Sequence, residues 1–178
     1  MTQPHILIGF STPKSDFAIA AAIIRFVENT PYSHVYVKIW SDIIDGYIVY
    51  QETFAGLGAM NGALFDDHVK IFSEYKIDVT EEQMTQIMHF FQDNYGLPYG
   101  VRQIAGMLTA RVLRQMGFHD AKNPFADGIR TMVCSEMVGA VLTILGESFD
   151  KSLLEIEGPK MIHKIVVKLF GSQRSSHV

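Results

Sequence analysis

Residues 33–53 read SHVYVKIWSDIIDGYIVYQET, and this stretch decides the fold. Along SHVYVKIW, polar and aromatic side chains alternate with valine and isoleucine, which predicts a strand whose two faces differ. The Asp45-Gly46 pair is a turn signal, and the residues after it, YIVYQET, favour a strand. The stretch therefore predicts two strands joined by a turn.

The segments on either side of this stretch predict more strands and several helices. Further strands are expected over residues 5–10 and 69–79, and the Gly/Ala-rich segment before residue 69 is expected to be a loop. Apolar side chains at helical spacing predict four helices, over residues 17–27, 80–91, 101–116 and 134–145. Helices that flank a block of strands favour an α+β fold with a mostly antiparallel sheet.

Capping residues mark the ends of the predicted helices. Ser15 or Asp16 can cap the first helix, which Pro31 must end. Thr80 and Gln83 have the spacing of a capping box. Glycines are expected to end the later helices, at Gly96, Gly117 and Gly146.

The composition predicts one folded domain over residues 1–170, followed by a polar tail over residues 171–178 that frays. The chain has 178 residues, 48% hydrophobic and 19% charged, which is enough apolar material for a core without metals or disulfides. A single cysteine excludes an intramolecular disulfide. The net charge of −4, without a block of basic residues, argues against nucleic acid as a partner.

Neither a signal peptide nor a membrane span is expected. The N-terminus lacks a cluster of Lys and Arg, and the most apolar stretch, residues 17–27, is interrupted by Arg25 and is shorter than a span. A cytoplasmic protein is therefore the default expectation, with carriage in a virion or export by another route left open. The sequence leaves the oligomeric state open as well.

The single cysteine, Cys134, lies in TMVCSE at the predicted first turn of a helix. Backbone N–H groups and the positive end of the helix dipole favour an anion there, which would lower the pKa of a thiol. The same N–H groups can bind the oxyanion of a tetrahedral intermediate. A free cysteine is also often a small buried hydrophobic residue, so both interpretations stand at this point.

A cysteine nucleophile needs a base and a residue that orients the base. Among the seven histidines, His34 is the candidate base because it opens a strand, where a side chain is held rigidly. The alternative is a hydrogen-bonded surface histidine. Gln51 and Glu52 on the next strand are the candidate orienting residues, and only one can serve because neighbouring strand residues point to opposite faces.

Four short motifs occur in a particular order, PYSHV at 31–35, VYQET at 49–53, GLPY at 96–99 and VCSEMV at 133–138. This order resembles the circularly permuted branch of the NlpC/p-sixty papain-like superfamily, which includes the lecithin retinol acyltransferase-like proteins. In ordinary members the cysteine helix precedes the histidine strand, whereas here the cysteine follows the histidine by 100 positions. The resemblance covers about residues 5–160 and implies a papain-like fold with the nucleophile helix after the strands.

The resemblance makes Cys134 the nucleophile and His34 the base. The third polar residue of the family, often a glutamate, falls on Gln51, and Glu52 is the alternative. The glutamine at position 51 is one departure from the family pattern. The Pro-His pair before the first strand, where many relatives carry Gly-Asp, is another, and it affects the expected substrate contacts more than the fold. Four further positions are expected to line or support the cleft, Tyr32, Ser33, Tyr99 and Ser135.

These residues imply a cysteine peptidase or amidase that needs no cofactor. His34 would take the proton of Cys134, the thiolate would attack a carbonyl, and water or another acceptor would release the acyl-enzyme. The resemblance implies an amide bond in a cell-wall peptide of peptidoglycan as the substrate. Two alternatives stay open: a thiol-dependent acyltransferase or ester or thioester hydrolase on lipid-like substrates, and a binding or structural protein that has lost the chemistry.

No metal site is expected. Asp66, Asp67 and His68 form the only cluster of acidic and histidine residues in the sequence. Because residues that are neighbours along a chain seldom build a metal site, this cluster is predicted to be a loop feature. Residues 118–130, just before Cys134, are predicted to be irregular and are a candidate lid.

Overall fold

The structure of the chain is a computed structural model, which describes residues 3–14, 19–53, 55–124, 132–148 and 158–173. These residues form an α+β fold, as the sequence predicts. The strands are β1 (His5–Pro13), β2 (His34–Ser41), β3 (Gly46–Thr53), β4 (Gly56–Asn61) and β5 (Val69–Asp78). They form one five-stranded sheet in the order β4-β3-β2-β1-β5, and every neighbouring pair is antiparallel.

The helices cover both faces of this sheet. In chain order they are α1 (Ile19–Glu28), α2 (Gly62–His68), α3 (Glu81–Asp93), α4 (Val101–Gln115), α5 (Cys134–Ile144) and α6 (Pro159–Phe170), followed by a 3-10 turn (Gly171–Gln173). Helices α3, α5 and α6 pack on one face, termed the α5 face, and α2 packs on the other, termed the α2 face. Helices α1 and α4 pack against each other.

The stretch 33–53 forms the predicted pair of strands. The register between β2 and β3 runs from Ser41 opposite Gly46 to Val37 opposite Tyr50. Among the described pairs it stops there, so the beginning of β2, at His34, lies where β3 has separated from it. The beginning of β2 is thus paired with β1, where Ser11 lies opposite His34.

The α5 face of the sheet is the apolar core. Alternation along β2 puts Val35, Val37 and Ile39 on this face, where they meet Met137 and Val141 of α5. Helix α5 is apolar on nearly every side, which explains why it is the most deeply buried helix. Each large apolar side chain buried here contributes about 1.5–3 kcal/mol to folding.

The α2 face is polar by comparison. The ring of Tyr36 lies across β1 at Gly9, where any Cβ atom would overlap the ring, and its hydroxyl donates to Glu74 on β5 at 2.7 Å. The ammonium group of Lys38 lies 2.8 Å from Asp66 and 2.9 Å from Glu74. This buried network ties α2 to the sheet.

The loop predicted before β5 is wrong, because β4 and α2 occupy that segment. The sequence GLGAMNGA has no strand pattern, and β4 forms because it pairs with β3 along its whole length. Asn61 begins α2, since its side chain accepts from the N–H groups of Ala63 and Leu64. The predicted caps of the first helix, Ser15 and Asp16, lie outside the described residues.

Other helix ends follow the predicted signals. Thr80 and Gln83 form the reciprocal capping box of α3. Gly117 and Gly146 follow α4 and α5 with φ angles of +98° and +91°, a conformation in which a Cβ would be strained. Helix α3 ends before the predicted stop at Gly96.

Two segments predicted to be irregular are described only in part. Residues 118–124, which follow α4, form turns and irregular backbone, and the remainder of the candidate lid lies outside the described residues. The predicted tail begins with the 3-10 turn, and residues 174–178 lie outside the described part.

Candidate active site

Cys134 is the first residue of α5. The N–H of Val133 donates to Glu136 Oε2 at 3.0 Å, so a glutamate in the first turn closes the start of the helix. The N–H groups of Glu136 and Met137 both donate to the Val133 carbonyl, at 2.9 and 3.0 Å. Cys134 therefore lies where backbone N–H groups have no partner within the helix.

The Cys134 sulfur is buried and faces backbone N–H groups. The N–H groups of Val35 and Ser135 donate toward it, and both favour the thiolate. Burial outweighs them and, together with the negative charge of Glu28, raises the pKa of Cys134 to about 12. This direction is opposite to the lowered pKa expected from the helix start alone. Because Val35 directly follows His34, the sulfur lies beside the peptide that joins these two residues.

His34 is half-buried at the beginning of β2. Its Nε2–H donates to Gln51 Oε1 at 3.1 Å, and the Gln51 amide nitrogen donates to Met60 Sδ at 2.9 Å. Since Oε1 can only accept, Nε2 is the protonated ring nitrogen and Nδ1 carries the free lone pair. The ring also stacks on Tyr36, with 6.5 Å between centroids. These contacts hold the imidazole and leave Nδ1 as its basic atom.

The structure does not bring the two predicted groups into contact, because Cys134 lies on the α5 face of the sheet while the His34 ring lies with Tyr36 and Gln51 on the α2 face. Burial lowers the pKa of His34 to about 4, although the hydrogen bond to Gln51 acts in the opposite direction. With the thiol pKa near 12, both groups are uncharged at neutral pH. Within the described residues no hydrogen bond joins the two. Proton transfer between them therefore needs a further stabilising change, such as the arrival of a substrate.

Glu52 lies on the α5 face of β3, opposite to Gln51. It is 1% exposed, and neither carboxyl oxygen has a hydrogen-bond partner within the described part of the chain. Burial and then the nearby charge of Glu136 raise its pKa to about 8, so the carboxyl keeps its proton at neutral pH. Of the two candidate orienting residues, Gln51 is the one that contacts His34.

Cys134 lines a pocket between α1, α4 and the first residues of α5 and α6. Two of the four expected cleft residues, Tyr99 and Ser135, line it as well. The Ser135 hydroxyl is buried and has no partner among the described residues. The rest of the wall is mainly apolar and comes largely from α1 and α4, with Ile24, Ile104, Met107 and Leu108.

Tyr99 reaches the pocket because its segment pairs with Met132, which lies two residues before α5. The N–H of Gly100 donates to the Met132 carbonyl at 3.0 Å, and the N–H of Met132 donates to the Pro98 carbonyl at 3.1 Å. Burial, followed by the charge of Cys134, raises the pKa of Tyr99 well above its ordinary value. Its hydroxyl therefore stays protonated at neutral pH.

The other two expected cleft residues lie elsewhere. The Tyr32 ring packs against Phe10 and His163, at centroid distances of 5.3 and 5.1 Å, in an aromatic cluster between β1 and α6. Ser33 is buried, with its hydroxyl 3.0 Å from that of Thr12. Neither Tyr32 nor Ser33 is part of the pocket lining.

Glu28, a buried acid at the end of α1, is a pocket residue that the sequence did not indicate. Its carboxylate accepts from the N–H groups of Gly158 and Lys160, both at 2.9 Å, at the start of α6. Arg111 of α4 lies 3.7 Å from the same carboxylate. One side chain thus joins α1, α4 and α6 around the pocket. The sequence signal that could have helped is the Gly158-Pro159 pair, which is typical of a helix start and indicates where α6, the partner of Glu28, begins.

The cluster Asp66-Asp67-His68 is the last turn of α2 and not a loop. Asp66 pairs with Lys38, and His68 Nδ1–H donates to the Leu64 carbonyl at 2.7 Å. No group of three or more side chains suited to holding a metal occurs among the residues that the structure describes.

The chain matches no protein-family model, and no curated protein matches it either. None of the helices in the described ranges has the length and apolar character needed to cross a membrane. The chemistry of the site must therefore be inferred from its own residues.

Proposed function

We propose that this chain is a cysteine hydrolase with a permuted papain-like fold, which cleaves an amide bond through an acyl-enzyme on Cys134. One observation carries the proposal. The sulfur lies at the first turn of α5 and faces the N–H of Val35, the residue after His34, whose Nε2 is held by Gln51. A thiol at a helix start and an oriented imidazole on the residue before Val35 are groups that nucleophilic catalysis requires, and the reaction needs the His34 ring to reach the sulfur from the α2 face.

The reaction would use the lone pair on His34 Nδ1. This atom takes the thiol proton as the sulfur of Cys134 attacks the substrate carbonyl carbon, and N–H groups at the start of α5 stabilise the oxyanion. Collapse of the intermediate breaks the C–N bond, the His34 proton goes to the leaving amine, and the acyl group stays on sulfur as a thioester. Water then attacks the thioester with His34 as base, which releases an acid and restores the thiol.

Because the pKa of Cys134 is near 12 and that of His34 near 4, the proton stays on sulfur at rest, and in this mechanism its transfer requires the bound substrate. Charges on the imidazolium and the oxyanion then form together in the transition state, where the site can stabilise both. The free thiol of Cys134 should accordingly react slowly with iodoacetamide. Its alkylation rate should rise about tenfold per pH unit, with no plateau up to about pH 9, because the thiolate fraction limits it.

Cell-wall peptides are the substrate class that the family resemblance implies. Ser135 lines the pocket next to Cys134, and its hydroxyl, which has no partner among the described residues, can hydrogen-bond a polar group of a peptide near the scissile amide.

Lipid-like esters or thioesters are the second candidate, and the pocket lining favours them. The aliphatic wall contributed by α1 and α4 would contact the apolar part of an acyl group bound at Cys134, at about 25 cal/mol per Å² of apolar surface buried. Polar peptide groups placed against the same wall would lose hydrogen bonds to water. Release of the acyl group to an alcohol or amine, in place of water, would make the protein an acyltransferase.

Two sets of substrates distinguish these candidates. Purified cell walls lose turbidity and gain free amino groups if the amide is cut, and p-nitrophenyl esters of increasing chain length report on an acyl pocket. Cys134→Ala should lower either activity by about 10³-fold or more. His34→Ala should do so with little change in Tm, since this side chain is half-buried, whereas His89→Ala, at an exposed site on α3, should stay active.

A mass increase on acid quenching gives a direct readout of the acyl-enzyme. The acyl group should be found on Cys134 in the wild-type protein and be absent from Cys134→Ala. If a folded wild-type protein turns over neither set of substrates and gains no mass, the hydrolase proposal is wrong and the binding or structural role replaces it.

A further inference from the structure

The helices that meet at Glu28 differ in charge from the rest of the protein. Residues 19–28, 101–124 and 158–173 carry eight Lys and Arg residues against two Asp and Glu residues. The other described residues carry four Lys and Arg against twelve Asp and Glu. These three segments therefore carry six more basic than acidic residues, within a chain whose net charge is −4.

Large apolar side chains are exposed on two of these helices, α1 and α4, and in the turn after α4. Six of them lie on α1, on α4 and in the turn after α4, and are termed the α1–α4 face: Ile23, Phe26, Val112, Leu113, Met116 and Phe118. Phe26, Met116 and Phe118 are 87%, 69% and 62% exposed. Apolar side chains grouped on two helices that pack together indicate a surface that binds a partner.

Helix α4 has a buried inner side and an exposed outer side that carries few charges. Its inner side is buried and lines the pocket with Met107, while its outer side would normally carry charged residues. After Arg102, the residues exposed along this outer side are uncharged: Ala105, Thr109, Val112, Leu113, Gln115 and Met116. An uncharged outer side whose large apolar residues lie together at its C-terminal end, with basic residues near both ends, suits a helix that contacts a membrane interface.

We propose that the α1–α4 face docks on an anionic phospholipid membrane. Its apolar side chains insert at the boundary between headgroups and acyl chains, and nearby cations such as Arg102 and Lys122 attract the anionic headgroups. A second copy of this chain fits less well, because two basic surfaces repel each other. Nucleic acid would satisfy the charge but would leave Phe26 and Met116 without an apolar partner.

Docking of this face goes beyond the proposed hydrolase function and does not depend on it. The two helices that form the face also line the pocket at Cys134, so docking would bring the pocket close to the lipid layer. Binding to vesicles requires neither the thiol nor the imidazole. Cys134→Ala should therefore bind vesicles as the wild-type protein does, whether or not the protein is a hydrolase.

Co-sedimentation of the full chain with vesicles tests the proposal. Vesicles of phosphatidylcholine with phosphatidylserine should bind the wild-type protein more tightly than phosphatidylcholine alone, and added salt should weaken the binding. Phe26→Ser combined with Met116→Ser should weaken binding about tenfold or more. Ile43→Ser is the matched control, because Ile43 is 96% exposed in an acidic turn between β2 and β3 and should have no effect.

A second pair of variants tests whether basic residues near the α1–α4 face contribute to vesicle binding. Lys122→Gln should weaken binding to phosphatidylserine vesicles about fivefold. Lys76→Gln removes an exposed lysine from β5, on the other part of the molecule, and should leave binding unchanged. The Tm of the double serine variant should stay within a few degrees of wild type, since both side chains are exposed. If the Tm of the double serine variant falls further, its loss of binding is not interpretable, and the comparison of Lys122→Gln with Lys76→Gln tests the proposal.

Three results would overturn membrane docking. The first is a wild-type protein that does not sediment with phosphatidylserine vesicles. The second is a loss of binding in a control variant as large as the loss in its test variant. The third is a wild-type dimer in size-exclusion chromatography that the double serine variant converts to a monomer without weakening vesicle binding. That last result would assign the α1–α4 face to a second copy of the chain.

Discussion

On the α2 face of the sheet Lys38 is buried between two carboxylates, whereas on the α5 face Glu52 is buried with no described partner. The Lys38 ammonium lies 2.8 Å from Asp66 and 2.9 Å from Glu74, and the Tyr36 hydroxyl donates to Glu74 at 2.7 Å. Burial of the Glu52 carboxyl, and then the nearby charge of Glu136, raise its pKa to about 8.

The Lys38 network stabilises the fold because its charges are paired, whereas the Glu52 carboxyl has no partner among the described residues. A buried ion that is paired and hydrogen-bonded is tolerated, and its partner becomes costly to remove. A buried carboxyl without a partner lowers stability, and proteins keep such groups mainly at functional sites. Glu52 is on the same face as Cys134 and influences the pKa of its thiol, which fits a functional role.

Lys38→Met should have the largest effect on stability, because it leaves Glu74 buried without a cation. The free energy of unfolding should fall by about 3–5 kcal/mol in urea denaturation. Lys76→Met is the control, since Lys76 is half-exposed and its nearest carboxylate, on Asp78, is 3.8 Å away. It should change stability by less than about 0.5 kcal/mol. A Lys38→Met protein as stable as wild type would remove the contrast between the two faces.

Glu52→Gln should stabilise the protein at high pH. The folded-state pKa of about 8 lies above the ordinary value of 4.5, so the native state keeps a proton that the unfolded state loses. Wild-type stability should therefore decline as the pH rises between those values, and glutamine cannot ionise. From about pH 5 to about pH 8 the variant should gain about 3 kcal/mol over wild type. Glu81→Gln, on the exposed start of α3, should show no such gain.

His34→Gln should remove a loss of stability at acid pH. The folded-state pKa of about 4 lies below the ordinary value of 6.5, so the unfolded state is protonated first as the pH falls. Wild-type stability should decrease by about 2 kcal/mol across this window, after allowance for partial exposure. Urea denaturation at several pH values should show a flatter profile for His34→Gln and an unchanged one for His89→Gln. Identical profiles for wild type and His34→Gln would show that His34 is not buried as a neutral group.

Gln51→Ala should have the smallest effect, seen in activity and not in stability. Loss of the amide oxygen leaves the His34 ring less firmly held, and kcat should fall about tenfold. Gln51→Glu should raise the pKa of His34 and move the acid limb of the pH–rate profile to higher pH. Gln86→Ala, at an exposed position on α3, should change neither property. An unaltered kcat and pH profile in Gln51→Ala would exclude Gln51 as the orienting residue.

Local signals allowed part of this fold to be predicted. The turn at Asp45-Gly46 and the capping box of Thr80 with Gln83 are decided by a few neighbouring residues, and the structure has both. Strand β4 could not be predicted, because its residues, GLGAMN, favour no strand and only pairing with β3 forms it. The helix that follows did have a signal, the capping side chain of Asn61.

The sequence limited the partner of His34 to Gln51 or Glu52, but it could not predict the electrostatics around Cys134. Alternation on β3 indicates that Gln51 and Glu52 face opposite ways, and the side facing His34 depends on the register with β2, which a sequence does not contain. The helix start suggested a lowered pKa for Cys134, but burial raises the thiol pKa. Burial depends on packing against distant helices, as does the position of Glu28.

Gly9 and Tyr36 lie opposite each other on neighbouring strands, with the tyrosine ring in the space that a side chain at position 9 would need. Any larger residue at position 9 would expel the ring and deprive Glu74 of its hydroxyl donor. A change at one position is therefore tolerable only with a compensating change at the other. In distant homologues, positions 9 and 36 should therefore covary. This covariation would help to recognise a homologue whose surrounding sequence has diverged.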